Sequence, residues 1–177
     1  MSDKKNNYVL IGYMGAGKTT VGKMLAKTTD MRFLDTDEMI VKQMNLTIND
    51  IFAKYGEPYF RDLETKLIEN LAGTVEGCVI SCGGGLPMKP ENRPILGELG
   101  TVVYLNVNEE DILRRLKNDT KRPLLQGPKD EVKQRIHDML EKRDPVYRET
   151  ADVIIKTGRM KAQEVVDKII KQRGYIL

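Results

Sequence analysis

Gly12-Tyr13-Met14-Gly15-Ala16-Gly17-Lys18-Thr19, entered from the apolar run Tyr8-Val9-Leu10-Ile11 and left through a helical stretch that begins at Lys18, decides how the rest of the chain is read. Its spacing is G-x-x-x-x-G-K-[ST], in which glycines let the backbone turn so tightly that successive N–H groups face one point. The helix that follows aims the positive end of its dipole at the same point, and donors gathered under a positive field make a cradle for phosphate. In such a cradle Lys18 reaches the β- and γ-phosphates of a nucleotide, and the Thr19 hydroxyl ligates Mg2+. The expected nucleotide contacts are therefore Gly12, Gly15, Ala16, Gly17, Lys18, Thr19 and Thr20. A glycine turn that merely joins a strand to a helix is the plainer alternative, and the strand before and helix after the motif weigh against it.

Working outward, apolar β-rich runs recur at Tyr8 to Ile11, Arg32 to Asp35, Cys78 to Cys82, Thr101 to Val107 and Asp152 to Lys156. Helical stretches separate them over Lys18 to Thr28, Glu57 to Leu71, Glu109 to Leu116, Asp130 to Arg143 and Lys161 to Gln172. Strands that alternate with helices and read as continuous apolar runs predict an α/β fold with a five-stranded parallel sheet covered on both faces. Asn108, followed by Glu109-Glu110-Asp111, is a helix start, and Gly174 stands at a helix stop. Two regions do not fit simple crossovers. Residues Asp37 to Tyr55 read as short helices after the second strand and suggest a substrate-binding insertion, about 37–64 in all. Asn118 to Lys129 is polar, with Pro123, Gly127 and Pro128, and suggests a lid over about 117–129 that carries Arg122. The first seven residues are polar and are expected to fray. No linker or repeat divides the chain, so residues 1–177 are expected to form a single domain.

Composition narrows the chemistry. The net charge is +3, from 29 basic and 26 acidic residues, and is too small for wholesale nucleic-acid binding. No apolar run approaches the ~18 residues needed to span a bilayer, so a membrane partner is not expected. His137 is the only histidine, which excludes any mechanism that needs two and makes zinc a poor fit. Cys78 and Cys82 share one apolar run and read as buried, reduced thiols, which suits a cytoplasmic protein. Catalysis then rests on Lys, Arg, Asp and backbone amides.

Asp35 and Asp37 close the second strand in Phe33-Leu34-Asp35-Thr36-Asp37, and the C-terminal ends of parallel strands form the ligand crevice. One carboxylate there can help hold Mg2+ and the other can take a proton from an acceptor hydroxyl. Read alone, the pair would be helix caps or solvated turn acids. Gly83-Gly84-Gly85 ends the third strand at the same edge, where glycine permits close approach of backbone to ligand. Arg61 has a plain reading as the i,i+3 surface partner of Glu64, and Arg122 and Arg143 as solvated charges.

Together these segments resemble the shikimate kinase family over about Tyr8 to Lys171. The resemblance is carried by the phosphate loop continuing to Gly22 and Leu25-Ala26, and by Asp35-Thr36-Asp37. Further along come Ile51-Phe52, Gly56-Glu57, Phe60-Arg61 with Glu64, Gly83-Gly84-Gly85, Asn92-Arg93, Arg122-Pro123-Leu124-Leu125, Arg143-Asp144-Pro145-Val146-Tyr147 and Ala151-Asp152. It implies a P-loop NTPase-like three-layer sandwich and transfer of the γ-phosphoryl of ATP to the 3-hydroxyl of shikimate, on the route to chorismate and the aromatic amino acids. Carried over by position, Asp37 holds the substrate hydroxyls and is the base candidate, Gly84 offers its backbone N–H to the ring with Gly83 and Gly85 as further substrate-binding candidates, and Arg61 and Arg143 bind the carboxylate. Asp35 resembles the residue near Mg2+, Arg122 the lid arginine that reaches the phosphates, and Arg115 the arginine that stacks on adenine. Lys18, Asp37 and Arg122 are the catalytic candidates that follow, in a monomer. Val41 departs from a common Glu, and Ala162 falls near where some members place a proline beside adenine. A gluconate-type kinase shares the loop, but the Arg61, triple-glycine and Arg143 set favours shikimate. A catalytically silent nucleotide-binding module is the other alternative, disfavoured by intact Lys18, Asp37 and Arg122.

Overall fold

Tyr8-Val9-Leu10-Ile11 is buried along its whole length, as a central strand must be when helices cover both faces of its sheet. The structure, a computed structural model, describes residues 4–116 and 127–174. The chain runs β1 (Tyr8–Ile11), α1 (Lys18–Thr29), β2 (Arg32–Asp35), α2 (Thr36–Met44), α3 (Ile48–Tyr55), α4 (Glu57–Thr74) and β3 (Cys78–Ser81). After a 3-10 turn at Leu86–Met88 it continues through α5 (Asn92–Leu99), β4 (Thr101–Asn106), α6 (Glu109–Leu116), α7 (Lys129–Thr150), β5 (Val153–Lys156) and α8 (Ala162–Arg173). The five strands lie in the order β2-β3-β1-β4-β5, every neighbouring pair parallel. This is the five-stranded parallel α/β sandwich expected from the sequence.

β1 pairs with β3 on one side and β4 on the other, and the connection leaving β1 runs toward β2 while the one leaving β3 runs the opposite way to β4, so a crevice opens at the C-terminal ends of these strands. The phosphate loop starts in that crevice. Gly17 holds φ 91°, a left-handed conformation that costs an L side chain energy, and from it α1 begins at Lys18. The Asn108 carboxamide accepts from the Asp111 N–H at 2.8 Å, which confirms it as the start of α6.

Three expectations need correcting. The tail does not fray as far as Asn7. That side chain is fully buried, donates to Val75 O and Leu99 O at 3.2 and 2.7 Å, and accepts from Cys78 N at 2.9 Å. It joins the starts of β1 and β3 to the ends of α4 and α5, while Lys4 pairs with Asp152. Secondly, α5 was not anticipated, because Pro94 and Gly97 lower helix propensity across so short a segment. Thirdly, α7 passes through Pro145 and ends at Thr150 rather than Arg143. A proline costs the helix a hydrogen bond, but the added turn buries Tyr147 completely. The lid expected over about 117–129, and Arg122 with it, falls in residues 117–126, outside the described residues; beyond them Pro128 caps α7.

Candidate active site

The site is assembled where β1, β2 and β3 end. Lys18, the first residue of α1, curls back over the loop and donates to Gly12 O at 2.8 Å and Tyr13 O at 3.1 Å. Thr19, one residue on, brings its hydroxyl to 3.4 Å from Asp35 Oδ2. Asp35 is also a helix cap, since its Oδ1 accepts from the backbone of Asp37 and Glu38 at 3.0 and 3.2 Å. Capping fixes the carboxylate, so the oxygen left over is held toward Thr19. A hydroxyl and a carboxylate are hard oxygen donors that suit Mg2+, which keeps most of its shell for phosphate and water. Among the described residues no cluster of three or more His, Cys, Asp or Glu is placed to hold a metal unaided.

Asp37 lies in the first turn of α2 and faces the triple glycine. A Cβ built on Gly83 would stand 2.7 Å from Asp37 Oδ1 and 2.8 Å from Glu64 Oε1. One on Gly84 would meet Arg143 Nη1 at 3.4 Å, and one on Gly85 would meet the Arg61 guanidinium at 2.3 to 2.6 Å. Each glycine thus makes room for a different charged side chain, from α2, α4 or α7. Gly83 N donates to the buried Thr36 hydroxyl at 2.9 Å, and the Tyr147 hydroxyl donates to Gly84 O at 2.6 Å. Asn92 donates to Leu86 O and accepts from Thr65, each at 2.9 Å, tying α4 to the turn that follows the glycines.

Arg61 does pair with Glu64, Nη1 to Oε2 at 2.7 Å, and its Nη2 donates to Glu57 at 2.9 Å. The surface reading fails on burial, because Glu64 is only 1% exposed. Burial pushes its carboxyl up to about 7, the Arg61 guanidinium pulling the other way and the Asp37 carboxylate adding to the rise. Glu64, named from the sequence only as the partner of Arg61 and as a residue of the family resemblance, was given no place in the site. The signal was its i,i+4 relation to Phe60, which puts both on one face of α4.

Lys18, Thr19, Thr20, Asp35, Asp37, Arg61, Gly83, Gly84, Gly85 and Arg143 line one cavity of about 440 Å3, with Gly15 and Gly17 at its loop side. A second cavity, about 230 Å3, adjoins it across the loop and is lined by Ala16, Gly17, Thr20, Arg115, Met160 and Ala162 among others. Arg115 donates there to Gly15 O at 2.9 Å and Gly158 O at 2.8 Å, bridging the phosphate loop to the segment after β5. A cavity with a loop of amides, an ammonium, two adjoining carboxylates and two guanidiniums suits phosphoryl transfer to an anionic alcohol.

The chain matches the shikimate kinase family profile over residues 14–173. It is 44% identical to the shikimate kinase of Thermodesulfovibrio yellowstonii, over 94% of each protein. To that of Ralstonia nicotianae it is 40% identical, over 94% of this chain and 86% of the relative. The solved structure of shikimate kinase from Acinetobacter baumannii in complex with shikimate superposes with a TM-score of 0.87 at 39% identity, covering 96% of this chain and 93% of that one. A sugar kinase from Janibacter shares the fold alone, with a TM-score of 0.51 at 17% identity.

Proposed function

Because this chain belongs to the shikimate kinase family, we propose that its larger cavity holds shikimate against the γ-phosphoryl of ATP and that the residues converging on the triple glycine perform the transfer. The reaction is that of the family: ATP phosphorylates the 3-hydroxyl of shikimate, giving shikimate 3-phosphate and ADP, in the shikimate pathway. Arg61 and Arg143 come from α4 and α7 to take the two oxygens of the substrate carboxylate, each through the paired N–H groups of a planar guanidinium. With the acid end fixed, the ring lies along Gly83-Gly84-Gly85 and its diol reaches Asp37. Asp37 orients the attacking hydroxyl and accepts its proton as the new O–P bond forms. Lys18 offsets the charge that builds on the phosphate oxygens, and the loop amides hold them in line. Thr19 and Asp35 would hold Mg2+, which when bound neutralises phosphate charge. By the resemblance Arg122 is assigned to the phosphates, and Arg115 to adenine in the second cavity, where Ala162 leaves one wall small.

The observation that carries this reading is the placement of two arginines and an aspartate from three different helices around one glycine triplet. ADP release assayed with shikimate, gluconate, quinate or no acceptor tests it: turnover is expected with shikimate, and equal turnover with gluconate or without acceptor would displace the assignment. The buried free thiols support a cytoplasmic enzyme and the single sheet a single domain, and its expected monomeric state is checked by light scattering and its location by fractionation. No described helix is long and apolar enough to cross a membrane.

A further inference from the structure

Asp144 stands between two residues of the site and takes no part in the transfer itself. On one side of it Arg143 reaches over Gly84, and on the other Tyr147 donates to Gly84 O at 2.6 Å. The Asp144 carboxylate turns toward the sheet instead. Its Oδ1 accepts from the Tyr104 hydroxyl at 2.8 Å and from Asn106 Nδ2 at 3.0 Å, both on β4, and its Oδ2 accepts from Arg148 Nε at 2.6 Å. Asn106 Nδ2 also donates to the Tyr104 hydroxyl at 2.9 Å, so the three side chains close a ring of hydrogen bonds. Tyr104 is buried, and burial holds its hydroxyl well above its usual pKa, which keeps it a donor.

The cluster sits at a soft point of α7. Pro145 has no N–H to give the Glu141 carbonyl, so the helix loses an axial bond between Arg143 and Tyr147. Tyr147, beyond the proline, is located by its own burial and its bond to Gly84. Arg143, before it, follows a stretch held to the core by Val132 and Ile136. Apolar contacts of that kind are non-directional: they set how near α7 lies to the sheet, not how it is turned about its axis. A carboxylate one residue along, about 100° around the helix and bonded to a strand, does set the turn. At the end of an arginine side chain a small rotation of the helix becomes a large displacement, and hydrogen bonds to a carboxylate weaken steeply with misalignment.

Resting on the reading that Arg143 binds the substrate carboxylate, we propose that Asp144, held by Tyr104 and Asn106, is the positioning residue that aims Arg143 at that carboxylate. Asp144 does not line the cavity; it fixes the turn of α7 on which the acid-reading arginine stands. What the role requires is an acceptor oxygen at Oδ1 rather than a charge, because both donors from β4 converge there. Arg148, an exposed residue one turn on, adds only a surface pair.

Steady-state kinetics of the full chain, with shikimate and with its methyl ester as acceptors, test the proposal. Asp144→Ala is expected to raise the KM for shikimate about 3- to 30-fold, with kcat and the KM values for ATP and for the ester within about twofold of wild type. Asp144→Asn keeps the Oδ1 acceptor and is expected to bring the shikimate KM back to within about twofold of wild type. Tyr104→Phe keeps the ring that packs on Tyr147 and removes one donor, and is expected to raise the shikimate KM at least about threefold. Should Asp144→Ala not fold, Tyr104→Phe decides between the same outcomes. A rise shared equally by acid and ester would place the effect at Gly84 rather than Arg143 and overturn the proposal. So would Asp144→Asn as impaired as Asp144→Ala, or an unchanged shikimate KM in the alanine and phenylalanine variants. A wild type that turns over no shikimate would instead remove the functional reading on which the proposal stands.

Discussion

Gly85 offers a way to displace Arg61 without deleting it. Its φ of −83° is ordinary for any residue, so alanine there strains no backbone. The new Cβ would fall 2.3 to 2.6 Å from the guanidinium, which sits at the end of a flexible stem and can swing away. Gly85→Ala should therefore raise the KM for shikimate by at least about tenfold while leaving the KM for ATP nearly unchanged, as steady-state kinetics would show. Arg61→Ala should lose about 30-fold to several thousandfold in kcat/KM for shikimate, and with it most of the preference for the acid over its methyl ester. An ester preference equal to that of the wild type would remove Arg61 from the subsite. Glu64 also leaves a mark on stability. Its folded pKa of about 7 lies above the ordinary 4.5, so the folded chain holds that proton more tightly than the unfolded one. The contribution is fully present below about pH 4.5 and is lost as pH rises through 7, at up to about 1.4 kcal/mol per pH unit. Urea unfolding should thus find the wild type losing ground to Glu64→Gln between pH 5 and pH 8, and a constant difference would refute it. Asp35, Asp37 and Lys18 were legible in sequence because a strand end or a motif fixes where they point. Glu64 was not, because charge at i,i+3 suggests a surface pair and only the packing of Phe60 shows otherwise.

Among the elements, two glycines in helices show how packing sets the sign of one substitution. A Cβ at Gly22, in α1, would lie 2.5 Å from the Phe33 ring and 3.2 Å from Leu10 Cδ1, a fully buried side chain. Overpacking of that kind costs about 1–3 kcal/mol and outweighs the gain in helix propensity of at most about 1 kcal/mol. A Cβ at Gly73, near the end of α4, meets nothing within 4 Å. Gly22→Ala should lower Tm by several degrees, and Gly73→Ala should raise it slightly, by about 0.5 kcal/mol of stability. Strands and long helices were legible because apolar runs and helical periodicity survive any packing. What local rules missed at this scale was tertiary in origin. Asp144-Pro145 reads as a helix stop, yet α7 continues because Tyr147 finds a buried place against Tyr104 and a carbonyl at Gly84. Without that turn Gly84 would lose the hydroxyl that holds its peptide.

Across the whole molecule the apolar interior is in two parts. The main cluster surrounds the sheet, whereas α2, α3 and the start of α4 close over a smaller one centred on Ile40, Ile51 and Phe60. The smaller cluster gathers too little apolar area to match the sheet, so local opening there costs less than global unfolding. Hydrogen exchange should find the α3 amides opening at lower free energy than those of β1 and β4, and shikimate should slow α3 selectively. Equal protection in both would argue for one indivisible unit. The alternation of strands and helices made the sheet legible, but the division between the two clusters depends on how α2 to α4 fold over the edge strand, which no periodicity encodes. Cys78 and Cys82 bracket β3, next to β1, and both are buried, Cys78 inside the main cluster and Cys82 at the wall of the larger cavity. Burial holds the Cys82 thiol well above its usual pKa, so little of the reactive thiolate exists while the sheet is intact. An alkylating reagent should accordingly find the Cys78 sulfur only after the sheet comes apart. The rate at which iodoacetamide labels Cys78 in a folded sample then becomes a clock for the lifetime of the native state, readable without denaturant and unaffected by the busier chemistry on the other side of the glycines.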